Sequence, residues 1–197
     1  PAAGPNLCFI QTLLNVGPSH LLARRTRWYE ANRYRGIHAP HENPRSLERP
    51  LRVGYVSGDF KRHSAAMIFS AVVLHHTQNI ETFLYSTLPV DPVADPVTKQ
   101  FQDMAGSRWR DIHATSDEDA EALIRKDGID ILVDLAGHTN GGRLGLFTRK
   151  PAPVQVTAWG FAHGTGLPEI DYFFADPVAV PEEERKDYAE KIWDLPC

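Results

Sequence analysis

The sequence predicts an α/β fold: a parallel sheet with helices on both faces, preceded by a helical segment. Three observations predict it. Short apolar runs of strand length recur from Leu51 onward. Stretches of helix length lie between most of them. Residues 1–50 follow another pattern, a helix and then a stretch rich in Pro and charge. Strands that alternate with helices build a parallel sheet, because each parallel pair needs a crossover long enough to hold a helix.

The elements follow in order. "SHLLARRTRWYEANRY" (19–34) reads as a helix with Ser19 as its cap and Leu21, Leu22, Arg25, Trp28 and Tyr29 on one face. "RGIHAPHENPRSLERP" (35–50) reads as a linker. Strands are expected at 51–57, 81–87, 108–113, 129–137, 152–160, 170–176 and 191–196. Helices are expected at 64–76, 96–105, 116–128 and 141–150. The helix at 116–128 has the strongest start, with Ser116 as cap and acids in its first turn, where the positive end of the helix dipole favours them. The chain divides at residue 50, into a helical segment with its linker (1–50) and a sheet-bearing lobe (51–197).

Composition excludes several classes. Hydrophobic residues make up 42% and charged residues 23% of 197; that balance suits one large domain, or a domain with an appendage. A net charge of −4 gives no electrostatic case for binding nucleic acid or an anionic membrane. No apolar run approaches the length of a membrane span. The start, "PAAGPNLCFIQTLL", has no basic region and no clear cleavage site. Two cysteines, Cys8 and Cys197, fit a reducing, cytoplasmic compartment and no Cys-based metal site. The missing initial Met and the ending "EKIWDLPC" lead us to expect a fragment or a processed chain.

In a parallel sheet, ligands sit beyond the carboxyl ends of the strands. The loops after residues 57, 87, 113, 135 and 158 should therefore open on one edge. Three of those loops carry histidine with glycine. "GDFKRHSAAM" (58–67) puts His63 at the start of a helix. The positive helix end disfavours imidazolium there, so a histidine in that place is suited to accept a proton. The plainer reading is a histidine that only caps the helix. "AGHTNGG" (136–142) offers Gly137 for a close backbone approach, with His138 and Thr139 as polar groups; the plainer reading is a turn with Thr139 or Asn140 capping the next helix. "GFAHGTG" (160–166) is another Gly-rich rim, holding Gly160 and His163. Neither a Walker loop, a dinucleotide fingerprint, a His-Glu-x-x-His zinc motif nor a Gly-x-Ser-x-Gly elbow is present. Among Asp127, Asp130 and Asp134, the first precedes a Gly turn. Asp130 is expected on the strand's more exposed face, and Asp134 stays near the edge.

"LRVGYVSGDFKRHSAAM", "DGIDILVDLAGHTNGGRLGLFTRKPAPVQVTAWG" and "GTGLPEIDYFFADP…YAEKIWDLP" together resemble the catalytic region of the O-linked N-acetylglucosamine transferases and their bacterial SPINDLY-like homologues. The resemblance runs in register over about residues 51–196, and residues 1–50 resemble the helical junction to upstream tetratricopeptide repeats. It implies a GT-B glycosyltransferase whose N-terminal, Rossmann-like lobe is this chain. It implies inverting, metal-independent transfer of N-acetylglucosamine from UDP-GlcNAc to Ser or Thr of an acceptor protein, with no cofactor. His63 corresponds to the family's proposed general base or acceptor-orienting group. Gly137, His138 and Thr139 correspond to part of the sugar and acceptor pocket, and Gly160 matches the rim. "GFAHGTG" departs from the commoner "GYPGTTG", so the resemblance gives His163 no role. The UDP-binding residues belong mostly to a C-terminal lobe, so this lobe alone is expected to be inactive. Other readings are the same fold with another sugar, such as fucose or glucose, a non-catalytic module that binds nucleotide sugar or peptide, and a nucleotide-binding regulatory domain, which the lack of a phosphate loop disfavours.

Overall fold

The computed structural model describes residues 3–14, 16–46 and 48–196; Cys197 lies outside them. Two helices, α1 (Ala3–Thr12) and α2 (Pro18–Asn32), come first. After an extended linker the chain alternates: β1 (Leu51–Ser57), α3 (Ser64–Val73), β2 (Ile80–Ser86), α4 (Pro96–Ala105), β3 (Trp109–Asp111), α5 (Asp117–Lys126), β4 (Ile131–Asp134), α6 (Leu144–Phe147) and β5 (Val154–Thr157). The last strands, β6 (Tyr172–Ala175) and β7 (Lys191–Asp194), follow without further α-helix.

The seven strands form one parallel sheet in the order β3-β2-β1-β4-β5-β6-β7. The chain winds outward from β1 to β3 and then returns to lay β4 against β1. The topological switch point is therefore the crevice between the carboxyl ends of β1 and β4, the usual ligand site of such sheets. Successive residues of β4 serve opposite faces: Leu132 packs with Ile124 and Phe147, whereas Val133 packs with Phe69 and Phe101. A strand buried on both faces reads as an unbroken apolar run, which is why it was legible. The face with α5 and α6 also carries Trp28 and Tyr29 of α2, as the shared face of that helix predicted.

Several local expectations need correcting. Ser19 does not cap α2. Pro18 takes the first turn, where its missing N–H costs nothing, Gly17 stands at the cap, and the Ser19 hydroxyl donates to Asp187 at 2.8 Å. The expected strand at 108–113 shrinks to three residues behind a 3₁₀ turn at Gly106–Arg108. The expected helix at 141–150 shrinks to Leu144–Phe147, and neither Thr139 nor Asn140 caps it. Arg143 stands at that cap because its guanidinium is held by Asp117 and the carbonyls of Ile112 and Thr115. Ser116 does cap α5, accepting from the Asp119 N–H at 3.0 Å.

Asp130 is not on an exposed face. It is buried at the amino end of β4 and accepts from both Nη atoms of Arg49, from Asn43 Nδ2 and from the Arg52 N–H, all within 2.9 Å. Burial opposes its charge, but Arg49, the Arg52 N–H and Asn43 outweigh it and hold the carboxyl below its usual range. The linker has no regular structure, yet it is strapped to the lobe by this carboxylate, by the bond between His38 and the Thr148 carbonyl, and by Arg125, which donates to the Ala39 and Pro40 carbonyls.

Candidate active site

The turn after β4 is built around Asp134. The carboxylate is wholly buried and flanked by Val56 of β1 and Thr157 of β5. It accepts from the Ala136 N–H at 3.1 Å, the Gly137 N–H at 3.0 Å and the Thr157 hydroxyl at 2.8 Å. Burial pushes the carboxyl up, while these donors pull it back. Gly137 then turns with φ +54°, and a Cβ there would strike the Phe161 ring at 2.6 Å. The Thr139 hydroxyl closes the turn on the Ala136 carbonyl at 2.6 Å. Gly160 meets this turn from the β5 side: a Cβ there would collide with the Leu135 carbonyl oxygen. Its neighbour Trp159 has φ +46°, a strained conformation for a bulky residue at the start of the rim loop.

His138 is not open to solvent at the edge. Its ring is fully buried and donates from Nε2 to the Thr165 carbonyl at 2.8 Å. Trp28 of α2 meets it edge-on at 5.1 Å between ring centres, and Phe161 covers another side. Burial pushes the imidazole down to about 4. The group's unfolded value is about 6.5, so between those values the unfolded chain holds more protons. The stability from keeping His138 neutral is full above about pH 6.5 and is lost as pH falls towards 4. Between pH 7 and 4.5 we expect the chain to lose on the order of 2 kcal/mol more than His138→Gln, whose amide can still reach Thr165. Urea titrations of both proteins at the two pH values measure this, and equal losses would refute it.

His163 is half-buried against Phe161 and lines a hollow of about 370 Å³ with Arg25, Leu21 and Tyr188. The three histidines differ in exposure and in their neighbours. Two of them flank Phe161 towards the helical segment, and His63 alone stands exposed on the switch-point edge.

His63 is the N-cap of α3, and its Nδ1 accepts from the Ala65 N–H at 3.2 Å. The side chain is 46% exposed, and Asp59 Oδ2 lies 3.4 Å from the same Nδ1. Asp59 went unassigned in the sequence, although it stands four residues before His63 in the same loop. Thr87, at the end of β2, ties the two sides of the crevice by donating to the Gly141 carbonyl at 2.6 Å. Among the described residues no group of three metal-ligating side chains occurs, and no helix is long and apolar enough to cross a membrane.

Two further hollows open on the surface. One of about 740 Å³ opens beneath the linker, between Arg45, Ile131 and Val154, at the opposite edge of the sheet. Another of about 390 Å³ lies on the carboxyl edge, between Ile68 of α3, the rim residues Trp159 and Phe161 and the ends of β6 and β7.

Comparison with known proteins gives a consistent picture. The family model described as glycosyl transferase family 41 matches residues 33–196. A protein of Oryza sativa subsp. japonica named "Probable UDP-N-acetylglucosamine--peptide N-acetylglucosaminyltransferase SPINDLY" is 38% identical over 79% of this chain and 17% of its own length. The protein of the same name from Solanum lycopersicum is 35% identical over 98% of this chain and 21% of its own length. The chain thus spans about a fifth of the length of the curated relatives it matches. Among solved structures, a lysine-to-methionine mutant of the Thermobaculum terrenum O-GlcNAc transferase superposes with a TM-score of 0.88 at 30% identity, over 98% of this chain and 37% of that one.

Proposed function

Because the chain belongs to glycosyl transferase family 41, we propose that it is the N-terminal lobe of a cytoplasmic, two-lobed protein O-GlcNAc transferase. The whole enzyme moves N-acetylglucosamine from UDP-GlcNAc to a Ser or Thr hydroxyl of an acceptor protein, with inversion and without a metal. The observation that carries the reading is an exposed histidine at a helix start, on the carboxyl edge of the sheet beside its switch point. His63 is the general base for the acceptor hydroxyl. Gly137 and Thr139 offer the turn's backbone and hydroxyl to sugar and acceptor, Gly160 keeps the rim close, and His138 holds the turn from below. Residues 1–50 join the lobe to upstream tetratricopeptide repeats.

An inverting transfer also needs the departing diphosphate stabilised. Lysine and backbone N–H groups can do this without a metal. The C-terminal lobe supplies those groups, and the crevice is half of a site that the other lobe completes. A transfer assay with labelled UDP-GlcNAc and an acceptor peptide tests this. We expect no transfer by the 197-residue chain and transfer by a two-lobed protein carrying it. Turnover by the chain alone would overturn the split-site reading.

A further inference from the structure

We propose that Asp59 is the positioning residue of His63, keeping a proton on Nδ1 so that Nε2 is free to accept one. The proposal rests on the reading of His63 as the base. A neutral imidazole has one proton for two nitrogens. Nε2 can take the acceptor's proton only if Nδ1 carries the ring's own. In the structure two groups compete for Nδ1. The Ala65 N–H, 3.2 Å away, asks for a bare nitrogen, as any helix cap does. The Asp59 carboxylate, 3.4 Å away, asks for Nδ1–H. A ring that only capped α3 would be Nε2–H, the wrong tautomer for a base.

Asp59 is placed to win that competition. The residue is 8% exposed, and its carboxylate has no other donor among the described residues. A carboxylate with little access to water and no protein donor favours any N–H within reach, so the ring proton is drawn to it. The loop cannot carry the carboxylate away. The Asp59 N–H is held by the Ser57 hydroxyl at 3.0 Å, and the next residue, Phe60, is fully buried among Phe69, Phe101 and Trp109. Ala65 is partly exposed and stands in the first turn of α3, so the N–H that the ring gives up can turn to water.

In the transfer step the acceptor O–H bond breaks and its proton passes to Nε2. The oxygen bonds to the anomeric carbon, whose bond to the diphosphate oxygen breaks, and the diphosphate leaves with the electron pair. The imidazolium so formed rests against the Asp59 carboxylate, as in other His–carboxylate pairs.

The test reads the tautomer. Long-range ¹H–¹⁵N spectra of the chain at pH 8.5, with His63→Gln to assign the ring, show which nitrogen is protonated. We expect an Nδ1–H share at His63 in the native chain and Nε2–H alone in Asp59→Asn, whose amide can donate to Nδ1. In the two-lobed protein we expect Asp59→Asn to lower kcat on the order of 10²-fold or more, the effect of a wrong tautomer, with KM for the donor nearly unchanged. A native ring that is Nε2–H alone overturns the proposal, even if His63→Gln is inactive and even if Asp59→Asn fails to fold. Full transfer by His63→Gln overturns the base reading, and the proposal falls with it.

Discussion

His63→Ala in the two-lobed protein is expected to lower kcat by about 10²- to 10⁴-fold, with KM for UDP-GlcNAc changed little. The size is that of a general base removed from a proton-transfer step. The selectivity for kcat follows from position: the ring is exposed on the edge and contributes nothing to the buried core. Loss of the cap costs α3 about 1 kcal/mol, too little to unfold a lobe whose next turn buries Ala66 and Phe69. Circular dichroism of the variant should therefore match the parent. Steady-state kinetics with donor and acceptor varied separately decide the matter. A variant with full kcat would end the base assignment, and one with a raised donor KM alone would move His63 to a binding role.

The largest expected effect on stability belongs to Asp134→Ala. The carboxylate serves three buried donors at once, the Ala136 and Gly137 N–H groups and the Thr157 hydroxyl. Alanine leaves all three without a partner where water cannot easily follow, at roughly 1 kcal/mol or more each. The total is about 3 kcal/mol or more, a large share of what a single lobe has to spare. At about 2 kcal/mol per molar urea, the midpoint should fall by about 1.5 M. Asp134→Asn keeps one accepting oxygen and should lose less. If Asp134→Ala unfolded at the parent's urea concentration, the turn would not depend on this residue.

How much of this was legible in the sequence depends on how far apart the deciding residues lie. The fold was, because its signals are local. Ser116 and the acids behind it start α5, and the apolar run at Ile131–Val133, just after a Gly turn, reads as a strand buried on both faces. Where two local signals competed, the nearer steric one won: Pro18 opened α2 ahead of Ser19. The fate of Asp130 was hidden because its partners, Asn43 and Arg49, sit in a linker without periodicity. His138 was hidden for a similar reason. Its ring is turned inward by Trp28, a residue of the helical segment. Asp59 had a local signal, the four-residue step to His63 within one loop.

The contact between Trp28 and His138 has a practical consequence for anyone shortening this protein. A cut at residue 50 looks harmless by sequence, since regular strands begin just after it. It would strip the cover from an imidazole whose proton balance depends on staying dry, and it would remove the Arg49 fork from Asp130. A truncation beginning at Leu51 is in effect a double lesion, one at each end of β4. Its failure in any assay would report on missing upholstery and on nothing in the chemistry of the edge.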